Sequence, residues 1–377
     1  MRVGRALGGG LLAIGAAAPV VSSRVLGRAA ERLLAAPRTM PDEVALGPVI
    51  EALGGEVVRL HARDGTRLAA RWLLAGGAGV RQEGASTGVR QDAASTAVGQ
   101  DAGWAPDPHE AVLLLHGYSG SVAPDIVEYA PFLLNTASVL ALDFRGHGGS
   151  GAGPTTFGAL EIEDVAGALA WLGERGIRRV ALFGTSMGGM TAIAATAVLG
   201  DGRLVAADHD PASAAGAAPA PRPRIVGVVG DAVAPEVAIP VGRRLPGPFG
   251  RHLADRLFDA AAARLGVDPR STEPIRTVPL LEDVPLLLIH GEADRTVPVA
   301  DGRRLAAAAP EGSRHMVIPG ADHSAGHRVA PREYEWQVTA FLREAFAGAR
   351  GDADRVPILR RDAPPGNDAG QGAREPA

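Results

Sequence analysis

Gly184-Thr185-Ser186-Met187-Gly188 stands where an apolar run, Arg179 to Gly184, gives way to a segment, Gly188 to Leu199, whose apolar residues recur at three- and four-residue spacing. A G-x-S-x-G pattern between a strand and a helix describes a sharp turn that holds its serine in strained backbone geometry and presents the hydroxyl at a helix N-terminus. Glycines two residues to either side let neighbouring segments approach without a Cβ clash. Gly189 extends the pattern, and an ordinary structural turn is the competing reading.

Outward from this turn, short apolar runs alternate with helical patterns, as in βαβ units around a parallel sheet. The runs Ala111 to His116, Ser138 to Asp143, Arg179 to Gly184, Ile225 to Gly230, Pro285 to His290 and His315 to Ile318 are nearly all apolar, as strands buried on both faces are. Helices are predicted over Ile162 to Arg175, Gly188 to Leu199, Ala300 to Ala309 and Arg332 to Phe346. Upstream, Glu56 to Arg63 and Arg67 to Leu74 flank Asp64-Gly65, a dipeptide suited to a hairpin turn. The expected fold class is α/β: a mainly parallel sheet with helices on both faces. Residues 233–283, with Pro235, Pro240, Pro246 and Pro248 ahead of a helical stretch from Phe249 to Leu265, read as a small helical cap. Its apolar face, Leu253, Leu257, Phe258, Ala261 and Leu265, is expected over Ser186, excluding water and favouring a modest hydrophobic acyl group; packing on the sheet edge is the alternative.

Serine is a poor nucleophile near neutral pH, so the turn requires a base and a carboxylate to orient it. His323, in Gly320-Ala321-Asp322-His323-Ser324, follows the last predicted strand and is the only one of the 10 histidines so placed. Asp294 follows the Pro285 strand. Ser186, Asp294 and His323 all fall at carboxyl ends of parallel strands, where an open α/β sheet forms its ligand crevice. Asp231, at the end of the Ile225 strand, is the alternative acid. The N–H of Met187 is one candidate donor to an oxyanion.

His116-Gly117-Tyr118, Asp143 to Ser150, Gly184 to Gly189, Gly291 to Pro298 and Asp322-His323 together resemble the α/β-hydrolase superfamily, nearest to the Bem46-like and other alpha/beta-hydrolase-1 type serine hydrolases. The likeness covers Glu56 to Ala347. It implies the α/β-hydrolase fold and a covalent acyl-enzyme, with Ser186 as nucleophile, Asp294 as acid, His323 as base and the N–H of Tyr118 as second oxyanion donor. His116, His147 and His290 are expected to be structural, and Asp143 and Arg145 to brace their glycine-rich turn by bonds to backbone.

Composition narrows the partners. All 38 basic residues are arginine, spread along a chain of formal net charge -4, which leaves no electrostatic footprint for nucleic acid. Cysteine is absent, and no metal-ligand spacing or nucleotide-binding loop occurs, so neither a metal nor a cofactor is expected. Ala6 to Ser23 is 18 residues without a charge, flanked by Arg2, Arg5, Arg24, Arg28 and Arg32. Membrane association through residues 6–23, as an anchor or a cleaved signal, competes with a soluble leader. Residues 1–50 are read as leader and linker, 51–348 as the hydrolase domain and 349–377 as a disordered tail. Within the domain, a polar nine-residue repeat makes 76–108 a disordered insertion, and 201–224 is an Ala/Pro-rich loop.

The expected activity is hydrolysis of a carboxylic ester or related acyl bond in a small-molecule substrate. A peptidase or amidase of the same fold and a non-catalytic binding protein are the alternatives. A halide-displacing enzyme is disfavoured, since it needs a carboxylate where Ser186 stands.

Overall fold

The computed structural model describes residues 23–35, 41–76, 104–118, 120–200, 222–245, 248–281 and 283–353. β1 (Glu56–His61), β2 (Arg67–Leu73), β3 (Glu110–Leu115), β4 (Ser138–Leu142), β5 (Arg179–Thr185), β6 (Arg224–Asp231), β7 (Leu286–Gly291) and β8 (Arg314–Ile318) form one sheet in the order β1-β2-β4-β3-β5-β6-β7-β8. β2 runs antiparallel to both β1 and β4, and every other neighbouring pair is parallel. In the first hairpin Gly65 adopts φ 86° and the Asp64 carboxylate accepts the Thr66 N–H, closing the turn.

The apolar runs serve two cores because successive side chains of a strand point to opposite faces. Leu113, Leu115, Leu140, Leu142, Val180 and Leu182 enter one core; Val112, Leu114, Val139, Ala141, Ala181 and Phe183 enter the other. The helices are α1 (Ser23–Leu34), α2 (Pro41–Ala52), α3 (Ala123–Leu133), α4 (Glu161–Glu174), α5 (Met187–Leu199), α6 (Ala238–Arg244), α7 (Gly250–Leu265), α8 (Pro274–Thr277), α9 (Val299–Ala308), α10 (Gly326–Val329) and α11 (Pro331–Ala353). α4 and α5 contribute to the first core, α3 and α11 to the second. Burying each large aliphatic side chain in these layers stabilises the fold by about 2 kcal/mol.

Several boundaries differ from those read in the sequence. Residues 1–50 contain α1 and most of α2, which runs across the boundary to Ala52, and α1 docks by Leu26, Ala30 and Leu34, which are buried. Residues 104–108 do not belong to an unstructured insertion: Trp104 Nε1 donates to the Thr136 carbonyl at 3.1 Å, and the Arg350 guanidinium lies 4.6 Å from its ring centroid. Arg350 Nε also donates to the buried Glu110 carboxylate at 2.8 Å, so the last helix continues past residue 349 to Ala353. α3 went unrecognised because Pro131 interrupts its apolar pattern; in the last turn the missing N–H costs one intrahelical bond. The repeat, most of the Ala/Pro-rich loop and residues 1–22 lie outside the described residues. Among the described residues no helix is long and apolar enough to cross a membrane.

The turn after β4 also departs from expectation. Asp143 accepts the N–H groups of Val122 (2.8 Å) and Gly149 (3.0 Å), as expected. Arg145 instead reaches side chains: its Nε and Nη2 bond the buried Asp164 carboxylate at 2.9 and 2.7 Å, and Nη1 bonds Asp64 at 2.8 Å. Arg145→Met should lower the unfolding free energy by about 3–5 kcal/mol, because Asp164 would keep a buried carboxylate without its counter-charge. Urea denaturation measures the change.

Candidate active site

The parallel register brings the strand ends level. Leu115 pairs with Gly184, Thr185 with Asp231, Asp231 with Ile289 and Gly291 with Ile318, so the loops after β3, β5, β7 and β8 open on one crevice. Ser186 leaves β5 and enters α5 at φ 48°, ψ -111°, a region that costs a non-glycine residue about 1–3 kcal/mol. A Cβ on Gly184 would strike the backbone of Gly188, and one on Gly188 would strike the Leu115 carbonyl, which is why the pattern demands glycine there. The Ser186 N–H is tied to the Asp231 carbonyl at 2.7 Å.

Ser186 Oγ donates to His323 Nε2 at 3.0 Å, and His323 Nδ1 donates to Asp294 Oδ2 at 2.8 Å. The carboxylate partner assigns the imidazole proton to Nδ1 and leaves Nε2 as the acceptor. The other oxygen of Asp294 is fixed by the N–H groups of Thr296 (2.8 Å) and Val297 (2.7 Å), and its carboxylate is sealed from solvent. A clamp absent from the sequence reading joins the two loops. Asp322 accepts from Arg295 N–H, Nε and Nη2 at 3.0, 2.9 and 2.6 Å, while the Ala293 N–H donates to the Ala321 carbonyl. An Asp beside each of two adjacent loops with one nearby Arg was the available signal, but no local pattern pairs them.

Asp231 lies under the same site without touching the imidazole; its carboxylate accepts the Tyr334 hydroxyl at 3.0 Å. Burial pushes it up to about 7, partly offset by that hydroxyl and by the field of His323. Asp125 at the start of α3, which sequence reasoning missed, accepts from Thr185 Oγ1 at 2.9 Å, and burial pushes it likewise to about 7. The signal for it was Pro124 followed by an acid, a helix-start pattern. His116 is fully buried: Nδ1 donates to the Gly117 carbonyl, Nε2 accepts the Phe144 N–H at 3.1 Å, and burial with the neighbouring His147 holds it down to about 3. His147 Nδ1 bonds the Arg145 carbonyl and His290 Nε2 the Val297 carbonyl.

Ser186, Met187, Tyr118 and His323 line a cavity of about 350 Å³. Among the described residues no hydrogen bond engages the N–H of Met187 or Tyr118. The Tyr118 ring stacks on Phe157 at 5.1 Å, and its hydroxyl donates to the Leu33 carbonyl at 2.7 Å. The cap differs from expectation. Pro240 and Arg244 of α6 border the cavity, whereas α7 packs behind it, with Phe258 against Phe157 and Ala261 against α1. The lining is also mixed rather than apolar, since Asp125, Glu128 and Arg328 join it, with Glu128 and Arg328 paired at 2.8 Å.

Comparison with known proteins gives this arrangement its setting. Among curated proteins, the uncharacterised protein YfhR of Escherichia coli O157:H7 is 26% identical over 286 residues, 75% of this chain and 78% of that one. The esterase Pf2001 of Pyrococcus furiosus superposes with a TM-score of 0.55 at 20% identity, covering 83% of this chain and 98% of the esterase. A membrane phospholipase A described as a bacterial virulence factor superposes with a TM-score of 0.50 at 19% identity, over 85% and 96% of the two chains. Both likenesses speak to the fold. Residues 112–335, more than half of the chain, match the profile of the alpha/beta hydrolase family. With its sheet order, its strained serine turn and that match in agreement, the chain belongs to the alpha/beta hydrolase family.

Proposed function

We propose that the protein hydrolyses carboxylic esters or related acyl bonds through an acyl-enzyme on Ser186. The observation that carries this reading is the unbroken relay from Asp294 through His323 to the Ser186 hydroxyl, at 2.8 and 3.0 Å. Ser186 Oγ attacks the carbonyl carbon as its proton passes to His323 Nε2. The imidazolium formed is stabilised by Asp294, which keeps its own charge. The N–H groups of Met187 and Tyr118 hold the developing oxyanion, each worth about 3 kcal/mol. Collapse expels the alcohol, which takes the proton from His323; water, deprotonated by the same nitrogen, then releases the acyl group.

A strained serine aimed at a histidine is hard to explain as binding architecture alone, which weighs against a non-catalytic role. Ester rather than amide is supported by the esterase and the phospholipase A among proteins of the same fold. The assay is turnover of p-nitrophenyl acyl esters of graded chain length beside matched p-nitroanilides. Ester turnover that exceeds anilide turnover is the expected result. Faster anilide cleavage would assign a peptidase or amidase, and no turnover of either series by folded protein would contradict catalysis.

A further inference from the structure

A second cavity, of about 450 Å³, lies beside the nucleophile between α1, α6 and α7. Leu33, Val241, Leu245 and Leu257 give it apolar walls, and Tyr118, Phe157 and Arg244 border both it and the Ser186 cavity. Its outer wall is fastened: the Tyr118 hydroxyl bonds the Leu33 carbonyl, the Thr155 N–H bonds the Leu34 carbonyl at 2.8 Å, and Arg264 of α7 pairs with Glu31 of α1 at 2.8 Å. Three arginines line this otherwise apolar slot, all of them with exposed side chains: Arg28 and Arg32, one turn apart on α1, and Arg244 at the end of α6. Among the described residues none of the three has a carboxylate partner, although nearby Arg251, Arg264 and Arg304 all do.

Apolar walls suit an alkyl chain, while cations that meet no carboxylate among the described residues concentrate anions at the same slot and bind carboxylate or phosphate through paired N–H donors. We infer that this slot binds an anionic amphiphile, its alkyl chain against Leu33, Val241 and Leu257 and its carboxylate or phosphate on Arg28, Arg32 and Arg244. The substrate at Ser186 is accordingly an acyl ester that bears an anionic group, a step that rests on the proposed catalysis. A neutral chain would fill the same walls but leave three charges unanswered.

Titration calorimetry with octyl phosphate, octanoate and 1-octanol tests the slot without relying on turnover. Wild type should bind at least one of the anions about tenfold more tightly than the alcohol, and added salt should erode that preference, since the arginines are exposed. The preference should vanish in the variant R28Q/R32Q/R244Q and persist in part in R28K/R32K/R244K, with thermal unfolding showing that both variants fold. Comparing the two anions separates a phosphate-bearing from a carboxylate-bearing ligand. Equal binding of anions and alcohol by wild type, or a preference untouched in the glutamine variant, would overturn the inference. Hydrolysis of p-nitrophenyl octanoate is followed in parallel. Its absence, with arginine-dependent anion binding intact, would sink the catalytic reading and still support the slot.

Discussion

Ser186→Ala should lower kcat for p-nitrophenyl esters by about a million-fold while leaving the fold intact, the scale seen when a serine nucleophile is removed from a relay of this kind. Among the described residues the side chain makes one hydrogen bond, to His323, so its loss costs little stability. The backbone cost at φ 48° stays, because alanine is no freer than serine there. Ester turnover measured beside urea denaturation separates the two effects. A variant that unfolds at the wild-type midpoint yet is inactive is the expected result; substantial residual turnover would place the chemistry elsewhere.

The second large effect concerns the acid. Asp294→Asn should cost about 10⁴ in kcat, because the amide can no longer accept the Nδ1 proton in the same geometry and the imidazole settles in the wrong tautomer. Asp231→Asn should change kcat by less than about tenfold, since Asp231 bonds Tyr334 and not the imidazole. Its effect belongs to stability. Glu128 and Asp294 add to the burial that pushes Asp231 to about 7, while Tyr334 and His323 oppose it. The native state therefore holds this proton more tightly than the unfolded chain, whose carboxylate titrates near the ordinary value of about 4. The resulting stability is fully present below that value and is lost as pH rises through about 7. Asp231→Asn should flatten this decline, and Asp125, pushed to about 7 as well, accounts for part of what remains. Denaturation midpoints between those pH values, with kcat for both variants, decide the assignment; an inactive Asp231→Asn with an active Asp294→Asn would reverse it.

What could be read in the sequence was local. Ser186 and His323 each sit in a glycine-bearing turn at a strand end, and the runs between Ala111 and His290 are nearly all apolar, as buried strands are, so sheet, order of residues and crevice follow from short-range pattern; the last run, His315 to Ile318, departs from that pattern, because as β8 it lies at the sheet edge and only Ile318 is buried. What stayed hidden depends on partners far apart in the chain. Nothing near Arg295 announces Asp322, nothing near Tyr118 announces Leu33, and Arg145 reaches Asp164 only because the turn after β4 folds over α4. α1 is hidden for a different reason. Its arginines fall at four-residue spacing on the side opposite Leu26, Ala30 and Leu34, a helical face, but beside the uncharged segment 6–23 the same arginines also fit flanking charge, so the sequence does not single out the helix.

The central claim is that His323 makes the Ser186 hydroxyl a nucleophile, and covalent capture tests it most directly. A fluorophosphonate probe, followed by mass spectrometry of the digested protein, should give a single adduct on the Ser186 peptide, abolished in Ser186→Ala and slowed by orders of magnitude in His323→Ala. Folded wild-type protein that takes up no probe, or takes it up on another residue, would contradict the account.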